Sequence, residues 1–366
     1  MSSVSPAQMT KLGDSAPHTT LASEYRRFVL RRVVCLVALA VVALAVVALL
    51  VDIASGPSML GLADVVHGLL NPESIDAGTR VIIEDIRLPY ALMAVVVGAC
   101  LGLAGAEMQT VLNNPLASPF TLGVGAAATL GASLVIAFNI SFLGLAAHIL
   151  LPLSAFVFAA VASLLILILS RSLGASVHAV VLFGIALLFG INAVVGLIQF
   201  VADAESVQQI VFWTMGSLAR ASLDKVLIVA LVLAICLPFS LRNAWAMTLL
   251  RSGEEQARSL GIRVERLRLT VLMRVSLLTA AAMCFVGEIG FIGLVAPHIA
   301  RLMLGEDHRF LLPGSALAGA VLLSLSSIAS KLLVPGVVLP VGIVTALVGI
   351  PLFILLIIGR SRRVAL

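Results

Sequence analysis

The sequence predicts an all-α membrane protein of about ten transmembrane helices, with both termini on the cytoplasmic side. Three observations predict it. Of the 366 residues, 61% are hydrophobic and only 11% charged, with a mean hydropathy of +1.17; that balance excludes a soluble globular domain. The apolar residues gather into runs of roughly 20, the length of helix that crosses a bilayer. Lys and Arg residues collect at alternate ends of those runs: with cytoplasmic termini, 17 of the 23 fall inside, in keeping with the positive-inside rule. The same asymmetry explains the pI near 9.4 without a nucleic-acid partner.

Residues 1–24 are polar and Ser/Thr/Ala-rich and read as a disordered cytoplasmic tail, followed by one transmembrane domain over residues 25–366. Glu24-Tyr-Arg-Arg-Phe-Val-Leu-Arg-Arg precedes the apolar run 33–51. Its length, and the lack of a small-residue cleavage site after it, make it a retained first span rather than an export signal. Residues 52–84 form an acidic outer stretch, with Asp52, Asp64, Glu73, Asp76 and Glu84 against the single cation Arg80. Within it LADVVHGLL reads as a short amphipathic surface helix. Arg87-Leu-Pro-Tyr opens the second span, to about residue 112, and Pro115 and Pro119 enforce a turn after it. The third, fourth and fifth spans cover about 120–138, 145–169 and 178–201. A polar loop at 203–224 holds a helical piece around 207–215, and the sixth span runs over 226–240.

Residues 241–268, LRNAWAMTLLRSGEEQARSLGIRVERLR, carry six arginines with Glu254, Glu255 and Glu265. A polar island between two spans must lie in water, and its arginines put it on the cytoplasmic side. Residues 251–260 are good helix formers, and Gly261 supplies a C′ stop. The result is a short helix on the membrane face, a handle for another protein to push on. The seventh span covers 269–286. GEIGFIGLVAPHIARLMLGEDHR is too broken for one full helix and reads as an extended piece, then a short helix starting at Pro297. The irregular backbone ahead of it must be covered by protein or line a cavity. The ninth and tenth spans cover 311–333 and 337–358, before Arg360-Ser-Arg-Arg.

Gly98, Gly102, Gly105, Gly123, Gly125 and Gly131 let helices approach closely in lipid. The matching ends of spans two and seven hint at an inverted repeat of spans two to five and seven to ten. Cys35, Cys100, Cys236 and Cys284 stand singly in apolar runs and read as small buried hydrophobes. No metal-ligand spacing occurs, and His298 reads as a helix-start hydrogen-bonding residue. There is no P-loop pattern. Glu107 and Glu288 are intramembrane carboxylates, costly unless they face a cavity or a partner; Glu107 either lines a path near Gln109 or pairs with Arg274.

Four stretches carry a family resemblance: RLPYALMAVVVGACLGLAGAEMQTVLNNPLASPFTLG (87–123), RSGEEQARSLGIRVERLR (251–268), GEIGFIGLVAPHIARLMLGEDHRFLLPGSALAGAVLL (287–323) and LPVGIVTALVGIPLFILLI (339–357). The chain resembles the permease subunit of type II ABC importers, the FecCD-type family that carries ferric siderophores, haem and cobalamin. The resemblance is collinear over about residues 30–360. It implies the type II importer permease fold and no catalytic chemistry. It also implies a second permease chain, same or paralogous, two cytoplasmic ATP-binding subunits and a substrate-binding protein outside. No cofactor is expected on this chain, ATP and Mg being used by the partner ATPases.

Residue by residue, the family's coupling segment matches at Gly253, Glu254, Ala257, Leu260 and Gly261. Basic positions that catch the binding protein's glutamates match at Arg87 and Lys331. Where the vitamin-B12 permease has a second arginine, this chain has Tyr90, so that contact is weakened or passes to another cation such as Arg80. Glu107, Gln109 and Glu288 are the candidates for the translocation path. The expected function is import of an iron–siderophore complex across the cytoplasmic (inner) membrane of a bacterium, with haem or cobalamin as alternatives. A secondary transporter using Glu107 and Glu288 as ion carriers would leave the arginine-rich helix unexplained, and the polar, glycine-lined middle spans argue against a signalling subunit.

Overall fold

A computed structural model describes residues 36–364, apart from 38, 57–59, 72, 74, 141–145 and 173–176. Val41–Leu366 form one compact unit. Met1–Ala40 form another, of which only Leu36, Val37, Leu39 and Ala40 are described. The boundary expected at residue 24 lies outside the described residues.

Every regular element among the described residues is helical. Among the described residues, six spans are long and apolar enough to cross a membrane: Ala77–Val111, His148–Leu169, Ala179–Val201, Leu223–Arg242, Val264–Val286 and His308–Leu332. Four shorter apolar helices, Leu39–Ala54 (α1), Val124–Ala137 (α5), Ile292–Leu304 (α13) and the stretch Val341–Ile354, stand at the other four expected crossings. The amphipathic LADVVHGLL is a helix, Leu62–Leu70 (α2).

The second span starts earlier than its sequence suggests. Asp76 caps a short helix, Ala77–Val81 (α3), by accepting the Thr79 N–H at 2.8 Å. Six residues of wider π-type turn, Ile82–Arg87, then lead without a break into α4, Leu88–Val111. The widening fits the proline at the second position of α4: Pro89 has no N–H to give, and Leu88 reaches back five residues to the Ile83 carbonyl.

The broken segment after Val264–Val286 (α12) also departs from expectation. Gly287, at φ +81°, ends α12, and Phe291, at φ +65°, caps α13. Helix α13 therefore begins at Ile292, and Pro297 lies inside it rather than at its start. The proline leaves the Gly293 carbonyl without its usual donor. Gln109 of α4 supplies one, its Nε2 donating to Gly293 O at 3.4 Å and Leu294 O at 3.3 Å. The irregular backbone is covered by protein, as membrane depth demands. Ser217 N–H bonds the Val286 carbonyl at 2.7 Å, and neither Gly216, against the Glu288 carbonyl, nor Gly342, against the Met215 carbonyl, has room for a Cβ.

The repeat hinted at by the sequence is legible in helix lengths. α4, α5, Ala147–Ser172 (α6) and Val177–Val201 (α7) have 24, 14, 26 and 25 residues. α12, α13, His308–Leu332 (α14) and Val341–Val364 (α15) have 23, 13, 25 and 24. The packing follows suit: α4 lies on α14 as α12 lies on α6, and α4 on α13 as α12 on α5. Backbones touch where glycine allows it. A Cβ at Gly98, Gly102 or Gly105 would strike a carbonyl of Gly319, Ser315 or Gly293 respectively. Between the two sets lie Ala204–Thr214 (α8) and Leu223–Arg242 (α9), and after α9 comes the arginine-rich segment.

Candidate functional site

The arginine-rich segment folds as two helices rather than one. Ala244–Arg251 (α10) and Glu254–Ser259 (α11) are separated by Gly253, at φ +133° and ψ +145°, backbone that only glycine adopts without strain. At the other end Gly261, at φ +84°, donates to the Arg258 carbonyl at 2.9 Å, and Ile262 donates to Ala257 at 3.1 Å. This is a Schellman stop of the kind read from the sequence. Ala257 is fully buried beneath the helix, while Leu260 is 53% exposed.

Glu254 is the hinge of the charge network. It pairs with Arg258 at 2.7 Å and Arg268 at 3.4 Å, and Arg258 also holds Glu265 at 2.5 Å. Arg268 Nε donates to the Val111 carbonyl, the last residue of α4, at 3.1 Å. A second link starts on α10: Thr248 Oγ1 meets His308 Nδ1 at 3.1 Å, and His308 Nε2 meets Thr110 Oγ1 of α4 at 2.7 Å. A third runs through Arg251 to Glu306 (2.8 Å), Glu306 to Arg301 of α13 (3.6 Å), and Arg301 to Gln109 Oε1 (3.3 Å). Only Gln109 was singled out in advance among the residues of the last two links. The rest gave no signal beyond their types, because they meet across helices far apart in the chain.

Glu107 is fully buried and pairs with Arg274 of α12, whose Nε lies 3.0 and 3.1 Å from the two carboxylate oxygens and whose second guanidinium nitrogen also contacts Oε1. Of the two readings left open for Glu107, the geometry is that of the pair. Arg274 also borders a cavity of about 710 Å³ between α9 and α12. Glu288 lies in the segment between α12 and α13, its side chain against Gly125 of α5, where no Cβ would fit. On α5, Thr129 and Ser133 are buried with no hydrogen-bond partner for their hydroxyls.

At the opposite end, Arg87 and Lys331 border one cavity of about 260 Å³, together with Tyr90 and Asp85. Both cations are turned inward. Arg87 is 5% exposed and donates to the Ile53 and Ala54 carbonyls at 3.0 and 2.9 Å, closing the C-terminal end of α1. Lys331 is 8% exposed, bonds the Asp52 carboxylate and carbonyl at 2.8 Å each, and sits 4.3 Å above the Tyr90 ring. Ser327 completes the Asp52 site at 2.7 Å. Arg80 instead stands half exposed between Glu73 and Glu84. Arg220, not singled out from sequence, has Nε and Nη2 enclosed with no hydrogen-bond partner, 5.9 Å from the Trp213 ring.

Among the described residues no group of His, Cys, Asp and Glu could hold a metal ion, and Cys100, Cys236 and Cys284 are buried free thiols. Cys35 lies outside the described residues.

Known proteins now add to this geometry. The family model described as the FecCD transport family matches residues 43–359. The hemin transport system permease protein HmuU of Yersinia pestis is 37% identical over 316 residues, covering 86% of this chain and 94% of that protein. The Fe(3+)-citrate import system permease protein YfmE of Bacillus subtilis is 34% identical over 317 residues, covering 86% and 92%. A solved chain, described as an inward-facing conformation of a metal-chelate type ABC transporter, superposes with a TM-score of 0.77 at 30% identity, covering 88% of this chain and 99% of its own. The chain belongs to the FecCD transport family, and is the multi-pass, non-catalytic membrane permease subunit of an ABC transporter.

Proposed function

We propose that the chain imports an iron–siderophore complex across the cytoplasmic membrane of a bacterium, as one of two permease chains, same or paralogous. They work with two ATP-binding subunits inside and a substrate-binding protein outside. ATP and Mg are consumed by those ATPase subunits, which move this chain by contact. The observation that carries the reading is the α11 surface: an exposed Leu260 above a buried Ala257, with Glu254 tied through Arg268 to the last carbonyl of α4. Pushing α11 pulls on a helix that spans the membrane. Gly253 and Gly261 bound the moving piece, since their backbone angles let α11 stand as a separate short helix between α10 and α12.

In this reading Arg87 and Lys331 receive the binding protein at the cavity they share. A docking carboxylate exchanges with their inner partners, the Ile53 and Ala54 carbonyls and Asp52. Glu107 and Gln109 act on the path by holding α4 against α12 and α13, and Glu288 marks the broken segment beside it. Haem is the second reading for the cargo, favoured by the 37% identity to a hemin permease over nearly its whole length.

Uptake in cells lacking the gene and complemented with it tests the proposal, with labelled ferric siderophores, haem and cobalamin offered in turn. Siderophore uptake restored by the gene, abolished by vanadate and insensitive to a protonophore is expected. Uptake that survives vanadate but collapses with the protonophore refutes ATP coupling; restoration of haem or cobalamin uptake alone refutes the cargo.

A further inference from the structure

The cavity of about 710 Å³ between α9 and α12 opens at the arginine-rich end. Its mouth is built from Arg242, the last residue of α9, and from Arg263 and Arg266 at the start of α12. These three side chains are exposed, and none has a hydrogen-bond or ion-pair partner among the described residues. Glu254 and Glu265 are committed to Arg258, Glu254 also to Arg268, and Glu306 to Arg251; Glu255 makes no ion pair among the described residues but lies outside the cavity lining. Arg274 borders the cavity deeper in, but Glu107 answers its charge. No Asp or Glu lines the cavity, so the mouth carries three unbalanced positive charges.

Beyond the mouth the lining turns apolar. Ile235 and Phe239 of α9 face Met273 and Leu277 of α12, and all four stay partly open to the surroundings of the helices. From Arg266 to Leu277 this slot runs about 16 Å along α12, at 1.5 Å per residue. Trp245, three residues after Arg242, is 61% exposed; Trp at that level is a mark of the head-group boundary. A soluble anion would use the cations and leave the slot empty. A zwitterionic lipid would use the slot, but its ammonium would bring a positive charge to a mouth that already carries three. A cytoplasmic subunit reaches the mouth but not an apolar slot that lies along two spanning helices. Basic pockets between membrane helices on the cytoplasmic side suit anionic lipid head groups.

We propose that this cavity binds an anionic phospholipid of the inner leaflet, its phosphate held by Arg242, Arg263 and Arg266 and one acyl chain laid along the α9–α12 slot.

The test is native mass spectrometry of the purified transporter, assembled with its ATPase subunits. It is titrated with phosphatidylglycerol and with phosphatidylcholine of the same chains, with inorganic phosphate as competitor. Phosphatidylglycerol is expected to be retained at least about tenfold more tightly than phosphatidylcholine. Replacing all three arginines with Gln should weaken it by on the order of a hundredfold, about fivefold for each arginine. Because the triple variant can fail to assemble, Arg266→Gln alone (the fivefold loss) and Met273→Trp, which fills the slot and weakens both lipids, serve as independent variants. Equal affinity for the two lipids, or unchanged binding in Arg266→Gln and Met273→Trp, overturns the proposal. Displacement by inorganic phosphate would assign the cations to free anions. Lipid retained by the permease alone but lost on assembly would assign them to the subunit interface; either outcome also overturns it.

Discussion

Removing Arg274 should damage the protein far more than removing the charge of Glu107, although the two form a single ion pair. The asymmetry follows from their surroundings. Glu107 is fully buried between α4 and α12, and its close hydrogen bonds come from the Arg274 guanidinium, with the Ser240 hydroxyl beside it as the other donor. Arg274 borders the cavity between α9 and α12 and so has a path to solvent or lipid head groups. Arg274→Met strands a carboxylate in the core, a change that costs about 3–5 kcal/mol when one partner of a buried pair is removed. Glu107→Gln keeps an acceptor oxygen and leaves a guanidinium that can turn toward the cavity, so a loss of about 1–3 kcal/mol is expected. Glu107→Met with Arg274→Met removes both charges and should sit within about 1–2 kcal/mol of the parent. Reversible unfolding of the purified permease in mild detergent, by titration with a denaturing detergent, measures all three. Trp213 is buried and reports the transition. Equal losses in the two single variants, or a double variant no more stable than Arg274→Met alone, would refute the argument.

Arg268→Ala cuts the bond between α11 and the Val111 carbonyl. ATP hydrolysis by the assembled transporter should persist while uptake per ATP falls about two- to thirtyfold, the size of a lost coupling of about 0.5–2 kcal/mol. Gly253→Ala and Gly261→Ala meet no neighbouring atoms, so their cost is conformational. It should be about 1–3 kcal/mol at Gly253, whose angles are almost glycine-only, and about 1–2 kcal/mol at Gly261, read as faster hydrogen exchange confined to α11. Asp307 caps α14, and its hydrogen bond to the Arg309 side chain holds its carboxyl below the ordinary value of 3.8. A depressed carboxylate contributes stability that is present above the unfolded value and lost as pH falls through the folded one. Asp307→Ala should therefore lower the melting temperature at pH 7, by the equivalent of about 1 kcal/mol, and the difference from the parent should start to shrink only as pH falls below 3.8 and disappear below the lowered folded value.

The crossings were legible because lipid allows few solutions: apolar runs of the right length, arginines at one end and prolines between them locate most of the described helices to within a few residues, the starts of the second and eighth excepted. Gly261 was legible for a similar reason, since a left-handed stop after a helix former needs no tertiary information. What escaped was set by partners. Pro297 looks like a helix start, and only the Gln109 side chain, arriving from α4, lets α13 continue through it. Asp52 looks like one of several outer carboxylates until it meets Lys331, nearly the whole chain away. Tyr90, a departure from the family's second arginine, gains a physical reading as the ring beneath the Lys331 ammonium. Glu107 was legible in part: Arg274 was named as a partner because an intramembrane carboxylate needs one, but only the packing of α4 on α12 chose it over an open path.

The bonding also divides the membrane body into parts of unequal firmness. α4 and α14 are in backbone contact through Gly98, Gly102 and Gly319, so neither slides without breaking packing over its whole length. α13 touches α4 through the backbone only near its start, where Gly105 lies against Gly293. It begins at a strained Phe291, contains Pro297, and its hydrogen bonds from α4 are those of 3.3–3.4 Å from the Gln109 side chain, at the weak end of the range. All three links from the arginine-rich segment end on α4, two directly through Arg268 and His308, and the third by way of α13 through Glu306, Arg301 and Gln109. A push on α10 and α11 is thus applied at once to the firm element and to the loosely held one. If α11 couples as proposed, the displacement that costs least tilts α13 about its Gly105 contact with α4. It would occur where the backbone is already irregular and protein-covered, next to Glu288, without unwinding any full span.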